Sequence, residues 1–181
     1  DGSALPFAVA LHEAGVKEVE GLLEPLVVRS ELRLSEGGAE ISAFPAATGL
    51  HVSYELYYPG EPLAQGCYEL EVTEASFLNE IAPARTFCPR KEAEALRAAG
   101  FGKGANTQNT LVLDGEQVLD NAFRFPGEPV RHKILDLLGD LFLLGRPVQG
   151  RIAACRSGHA LNRRLAEKLA GKDERLGENA C

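Results

Sequence analysis

The sequence predicts an α+β fold, a two-layer arrangement in which a sheet is backed by helices, and three observations carry that reading. Several short stretches alternate apolar and polar residues, the pattern of half-buried strands. Several longer stretches repeat apolar residues three and four apart, the pattern of amphipathic helices. The helical stretches lie between and after the strands, which makes them one layer against another. With 181 residues, 45% of them hydrophobic, the chain can bury the core of one globular domain, with a fragment of a second.

Taken in order, Ser3 can cap a helix over residues 4–14, with Pro6 tolerated in its first turn and Gly15 as its stop. Residues 16–25 form a charged connector ending at Pro25, and a domain boundary is placed there, leaving 26–170 as the main domain. LVVRSELRL (26–34) and AEISAFP (39–45) flank SEGG and read as a hairpin. In GLHVSYELYYP (49–59), Leu50, Val52, Tyr54, Leu56 and Tyr58 share one face, with His51, Ser53 and Glu55 on the other. CYELEVT (67–73) alternates likewise, and Thr73 then caps a helix through about Ile81, ended before Pro83.

RKEAEALRAAG (90–100) predicts a second helix, stopped by Gly100, and FGKGAN is a glycine-containing loop. TLVLDGEQVLD holds a short hairpin about Asp114-Gly115. A long helix runs from about Glu128 to Leu144 and ends at Gly145. PVQGRIAAC (147–155) reads as a strand, and Ser157 caps a last helix to about Leu169. The polar tail 171–181 is expected to fray.

The net charge of −7 argues against a general nucleic-acid binder, which needs a basic excess. A phosphorylated ligand would require a local cluster, for which Lys133, Arg85, Arg90, Lys91, Arg163 and Arg164 are candidates. No apolar run has the length of a membrane span. The four cysteines contain no C-x-x-C pair, so neither a zinc knuckle nor a redox motif is readable, and reduced thiols are expected. The chain starts at Asp1 and has no methionine, which predicts a processed product or a piece of something longer.

The long helix poses the chemical question. Val130, Ile134, Leu137, Leu138 and Leu141 gather on one side as a core stripe. His132, Asp136 and Asp140 follow at i, i+4 and i+8 on the opposite side, with Lys133 beside them. The plain reading is a solvated helix face. The alternative is a metal site, because a histidine and an aspartate one turn apart can both reach one ion, and imidazole with carboxylate suits zinc. His12 and His51 read as surface residues. His159, at a helix start after Ser157-Gly158, could be a third ligand, a general acid or an ordinary first-turn residue.

DGSALPF at the start, ARTF, VRHKILDLLGDLFLLGRPVQG and SGHALN, in the order they occur, closely resemble the UDP-3-O-acyl-N-acetylglucosamine deacetylases, the LpxC-type family. The resemblance runs from Asp1 to about Leu169. It implies a cytoplasmic bacterial zinc amidase of lipid A biosynthesis that takes the acetyl group from UDP-3-O-acyl-N-acetylglucosamine. It also implies a fold of two similar α+β halves, with residues 1–25 as the end of the first and 26–170 as the second. His132 and Asp136 are then zinc ligands. Lys133 and Gly158 belong to the substrate pocket, with Phe87 packing near the substrate. Asp140 pairs with and orients His159, which looks like the charged histidine that protonates the departing amine. Thr86 would hydrogen-bond the acetyl oxygen, and residues 88–104 match the segment that shapes a passage for the acyl chain. Each polar residue of the helix face acquires a task on this reading: zinc lowers the pKa of its water to about 7, the oxyanion needs donors and the amine needs an acid.

Two departures stand beside the resemblance. The family's third zinc ligand, a histidine, and the glutamate before it that acts as general base lie upstream of DGSALPF. The loop KGANTQNT (103–110) replaces a GGSLDNA-like one, with Asn109 at the usual asparagine. Two functional readings follow. The parent protein is a zinc deacetylase of which this chain is the C-terminal portion, inactive until joined by its N-terminal half and exposing an apolar surface for it. The alternative is a degenerate or stand-alone module that binds a nucleotide-sugar lipid or a partner protein without catalysis.

Overall fold

The computed structural model describes residues 2–177 except Glu18 and Leu22, with side chains as far as Gly171. In chain order the elements are α1 (Leu5–Ala14), β1 (Leu26–Val27), β2 (Leu32–Glu36), β3 (Ala39–Phe44), β4 (Leu50–Tyr57), β5 (Gln65–Glu71), α2 (Glu74–Ser76) running into a π-helical turn (Phe77–Ile81), β6 (Phe87–Pro89), α3 (Arg90–Ala98), β7 (Leu111–Asp114), β8 (Gln117–Val118), α4 (Glu128–Phe142), β9 (Val148–Cys155) and α5 (His159–Gly177). This is the α+β fold that the sequence predicts.

The main sheet has the order β2-β3-β9-β4-β5, with β1 alongside β9. The late strand β9 lies at its centre, parallel to β4 and antiparallel to β3. Strand β4 shows why one face is core. Val52, Tyr54 and Leu56 are buried, while Glu55 and Tyr57 are exposed, as a period of two requires. Helices α4 and α5 cover that face: α4 packs on β4 and β5, α5 on β2 and β3, and the two helices on each other. Val130, Ile134, Leu137 and Leu141 of α4 meet Ile152 of β9 and Leu161, Leu165 and Leu169 of α5 in one cluster. The β2–β3 hairpin turns through Gly37 and Gly38, both with positive φ, as a two-residue turn matched to strand twist demands. At Gly150 an added Cβ would lie 2.6 Å from Val28 Cγ2, so glycine is what admits the segment after β1 against β9. A small second sheet, β6-β7-β8, carries Phe87.

Five expectations are corrected. The stretch 26–34 is not one strand: Leu26 and Val27 pair in parallel with Val148 and Gln149, and only from Leu32 does the chain pair with β3. The exposed Arg29, Ser30 and Glu31 separate the two. Ser3 does not cap α1. Its side chain is buried, its Oγ accepts from Arg124 Nη1 at 3.2 Å, and Ala4 occupies the cap position without a side-chain bond. Thr73 does cap, through a reciprocal box with Ser76, but after one turn the helix widens to π geometry, closed by Ala82 N–H donating to Phe77 O. Helix α4 stops at Phe142 rather than Leu144, and α5 continues to Gly177 through Lys, Glu, Arg and Leu, all good helix formers. The frayed tail expected from residue 171 is thus helical to 177; residues 178–181 lie outside the described ones.

Cys67, Cys88 and Cys155 are free thiols; Cys181 lies outside the described residues. Among the described residues no helix is long and apolar enough to cross a membrane. Helix α1 touches the rest only lightly, at the 77–81 turn and through His12 Nδ1 at 3.4 Å from Glu74 Oε1. It buries none of its side chains, leaving Phe7 71% and Leu11 69% exposed, and Val16, Val19 and Leu23 beyond it are exposed too.

Candidate active site

The site is built on the first three turns of α4. Gly127, in the left-handed region at φ 72°, turns the chain into the helix, and Pro129 sits in the first turn, where its missing N–H costs nothing. Glu128 is 0% exposed and lies in a cage of donors. Its Oε1 accepts from the Arg85 backbone N–H at 3.0 Å and from Arg85 Nε at 2.8 Å; its Oε2 accepts from Arg85 Nη2 at 3.1 Å and the Arg124 N–H at 2.7 Å. Burial alone would push the Glu128 carboxyl up. The Arg85 side chain, the two backbone N–H groups and the Arg85 charge outweigh it and hold the carboxyl below the ordinary glutamate range. The pair fastens the loop bearing Thr86 to the helix bearing His132.

His132 is 8% exposed, so the face read as solvated is covered. Its Nδ1 lies 3.0 Å from the Ala84 carbonyl oxygen. A carbonyl only accepts, so Nδ1 carries the hydrogen and Nε2 keeps its lone pair. Burial lowers the His132 pKa, against the pull of the Asp136 carboxylate and the Ala84 hydrogen bond, and favours the neutral ring. Asp136 Oδ1 is 3.4 Å from that Nε2, and its Oδ2 accepts from Lys133 Nζ at 2.7 Å. One turn on, Asp140 (9% exposed) accepts at Oδ2 from His159 Nδ1 at 2.8 Å and from Asn162 Nδ2 at 2.9 Å. His159, at the start of α5, turns Nε2 toward Asp136 Oδ1 at 4.0 Å.

Thr86 approaches from the other side. Its N–H donates to Gly2 O at 3.1 Å and its carbonyl accepts from Leu111 N–H at 2.8 Å. A Cβ on Gly2 would lie 2.3 Å from Asn109 O and 2.8 Å from Thr86 Cγ2, so glycine is required there. The Thr86 hydroxyl has no partner among the described residues. Thr86, Phe87, His132, Lys133 and Asp136 line one cavity of about 550 Å³, with Tyr54, Leu56, Tyr57, Tyr58 and Arg156. Asp140, Gly158 and His159 are not in its wall. Tyr58 meets Phe87 edge-to-face and hydrogen-bonds Glu92 of α3.

A metal fits half of this arrangement. Two ligand atoms each about 2.0–2.2 Å from a tetrahedral zinc stand roughly 3.3 Å apart, which matches the 3.4 Å between His132 Nε2 and Asp136 Oδ1. The Ala84 carbonyl behind His132 is the outer partner that a metal-binding imidazole uses to aim its ring. No third His, Cys, Asp or Glu joins them among the described residues.

The basic residues read as a phosphate cluster do not gather. Arg85 is buried on Glu128, Arg90 pairs with Glu94 and Asp114, and Arg164 with Glu36. Nor is Asn109 free: its Oδ1 accepts from Asn106 N–H and Thr110 Oγ1, and its Nδ2 donates to Gly104 O. Sequence reasoning missed Glu128, Arg124, Asn162, Tyr54 and Arg156. Two left a trace, Asn162 as the last residue of SGHALN and Arg156 as the cation directly before it; Arg156 adopts φ 54° and brings its guanidinium 5.8 Å from the Tyr57 ring.

Comparison with known proteins shows the family to which the chain belongs. The family profile described as UDP-3-O-acyl N-acetylglycosamine deacetylase matches residues 1–171. UDP-3-O-acyl-N-acetylglucosamine deacetylase of Synechocystis sp. is 41% identical over 172 residues, 94% of this chain and 62% of the relative. The enzyme of the same name from Myxococcus xanthus is 39% identical over 93% of this chain and 54% of its own length. That of Anaeromyxobacter dehalogenans is 37% identical over 93% and 55%. The chain therefore spans little more than half the length of the curated relatives it matches.

Proposed function

The chain belongs to the UDP-3-O-acyl N-acetylglycosamine deacetylase (LpxC) family, and from that premise we propose that it forms the C-terminal portion of a cytoplasmic zinc-dependent amidase of lipid A biosynthesis. The substrate is UDP-3-O-acyl-N-acetylglucosamine, and the N-acetyl group leaves as acetate. The observation that carries this reading is that a carbonyl-braced His132, Asp136 at tetrahedral spacing from it and a free Thr86 hydroxyl line one cavity, while the Asp140–His159 pair beside it brings an imidazole Nε2 to 4.0 Å from Asp136 Oδ1.

His132 and Asp136 would hold zinc together with a ligand outside the described residues. Zinc, when bound, supplies a water of lowered pKa and polarises the acetyl carbonyl. The protein's own groups do the rest. The Thr86 hydroxyl donates to the oxygen that becomes negative as water adds to the carbonyl carbon. Asp140 fixes the His159 ring through Nδ1, which leaves Nε2 to carry the proton that the amine takes as the C–N bond breaks. Lys133 neutralises the outer oxygen of Asp136 and lines the cavity where the substrate sits, with Phe87 and Tyr58 as apolar wall.

The test joins this chain to the N-terminal segment of the Synechocystis relative and measures zinc content and acetate release from UDP-3-O-acyl-N-acetylglucosamine. Turnover is expected. His132→Ala should lose zinc and activity together, and His159→Ala should keep zinc and lose activity. A folded, zinc-loaded chimaera that binds the substrate without releasing acetate would contradict the reading and favour a non-catalytic binding module. Loss of zinc in His159→Ala would overturn the role given to that residue.

A further inference from the structure

Behind Asp140 lies a run of buried polar groups that the chemistry above leaves unused. The Tyr54 hydroxyl on β4 donates to the Ser157 carbonyl oxygen. The Ser157 hydroxyl donates to Asn162 Oδ1 at 2.8 Å, and Asn162 Nδ2 donates to Asp140 Oδ2 at 2.9 Å. Asn162 is 0% exposed, and Ser157 and Tyr54 are buried with it. The run has one direction. Burial pushes the Tyr54 pKa up to about 12, so its hydroxyl remains a donor at any ordinary pH. Asn162 Oδ1 is engaged by a hydroxyl, so the amide can present only its NH₂ to Asp140. That NH₂ and the His159 Nδ1–H meet on one oxygen, Oδ2.

We infer that Asn162 is a positioning residue for His159: a buried amide whose orientation Ser157 fixes holds the Asp140 carboxylate so that Oδ2 receives the imidazole Nδ1–H. The consequence is a defined tautomer. With Nδ1 committed to Asp140, the neutral ring keeps its hydrogen there, and Nε2 is the atom free to take up and hand on a proton at the cavity rim. His159 cannot secure this by packing, because its side chain is 59% exposed. The restraint has to come from the buried partner. A half-satisfied carboxylate in the same place could rotate and offer either oxygen. The catalytic side of this inference rests on the deacetylase reading; the hydrogen-bond side does not.

The experiment uses the full chain, labelled with nitrogen-15. Long-range proton–nitrogen correlations identify the protonated nitrogen of neutral His159, assigned by the signals missing from His159→Gln. The wild type should show Nδ1 protonated as the majority form, and Asp140→Asn should abolish that preference. Asn162→Asp, which keeps the side-chain volume but turns an acceptor toward Asp140, and Asn162→Ala should both reverse the majority form. Ser157→Ala, a milder change that leaves Asn162 in place, should weaken it. If the Asn162 variants melt earlier but keep the wild-type nitrogen pattern, Asn162 is packing alone and the inference is wrong. It is equally wrong if the wild type shows no Nδ1 preference, or if Ser157→Ala leaves the pattern intact should the Asn162 variants fail to fold. In the joined enzyme, Asn162→Ala should lower kcat about 10- to 100-fold at unchanged KM and zinc content. An inactive joined wild type would count against the deacetylase reading without touching the nitrogen pattern.

Discussion

Helices α1 and α4 follow opposite rules. Along α4 the groups that shape the site have partners within the chain: the apolar stripe lies in the core, and Glu128, His132, Asp136 and Asp140 each meet a hydrogen-bonding side chain or carbonyl. Along α1 Phe7 and Leu11 face outward and nothing is buried. Yet α1 is entered from one of the tightest points in the molecule, where Gly2 passes between Asn109 O and the Thr86 methyl. The difference teaches where the site's precision originates. Those site residues of this chain that lie on α4, on α5 and in the 84–87 loop are placed by internal contacts, whereas α1 offers apolar surface that internal contacts leave unused. An exposed patch of that kind fits the proposal that an N-terminal portion packs against this chain, as do relatives nearly twice as long.

The largest effect should come from the bond between α4 and the Thr86 loop. Arg85→Ala leaves the buried Glu128 carboxylate without its counter-charge, held only by the Arg85 and Arg124 backbone N–H groups, and should cost about 3 kcal/mol in urea unfolding. The same pair gives a pH signature. The native Glu128 carboxyl lies below the unfolded value of roughly 4.3, so the unfolded chain binds the proton first as pH falls. Its contribution is full above that value and is lost as pH drops through the native one. The urea midpoint of the wild type should therefore fall as pH drops below roughly 4.3, and Glu128→Gln should flatten that fall. Parallel curves would show that the carboxyl is not held as described.

A middle effect is expected at the entry to α1. Gly2→Ala must displace a backbone oxygen and the Thr86 methyl, and overpacking of this kind costs about 1–3 kcal/mol. In the joined enzyme it should also reduce turnover at unchanged zinc content, since Thr86 moves and the ligands do not. The smallest effect on stability belongs to α1 itself. Phe7→Ser with Leu11→Ser should change unfolding by no more than about 0.5 kcal/mol, while reducing self-association of the chain in sedimentation. A loss comparable to that of Arg85→Ala would show that α1 is part of the core after all.

The same contrast governs what the sequence disclosed. Periodicity found β4, both strands of the 32–44 hairpin and the apolar stripe of α4, because each depends on neighbours two to four residues apart. It could not decide whether His132 and Asp140 were solvated, because what covers them is Ala84, 48 residues away, and Asn162, 22 away. Arg85 read as a free cation for the same reason: Glu128 lies 43 residues on. Ser3 looked like a cap because capping is local, and a distant arginine took its hydroxyl instead. The family resemblance brought His132, Lys133, Asp136, Asp140, Thr86 and His159 together in advance, and the fold does gather them. The motif strings contain Ala84, Arg85, Ser157 and Asn162, but the resemblance gave these partners no task, and it left out Glu128 and Tyr54.

The central claim is that this chain carries two zinc ligands and needs another group to complete the site. Zinc titration of the stripped 181-residue chain beside His132→Ala tests it most directly. Weak binding, little altered by the substitution, is the predicted result. Tight one-to-one binding abolished by His132→Ala would contradict it, and would mean that the chain closes its metal site with a ligand of its own.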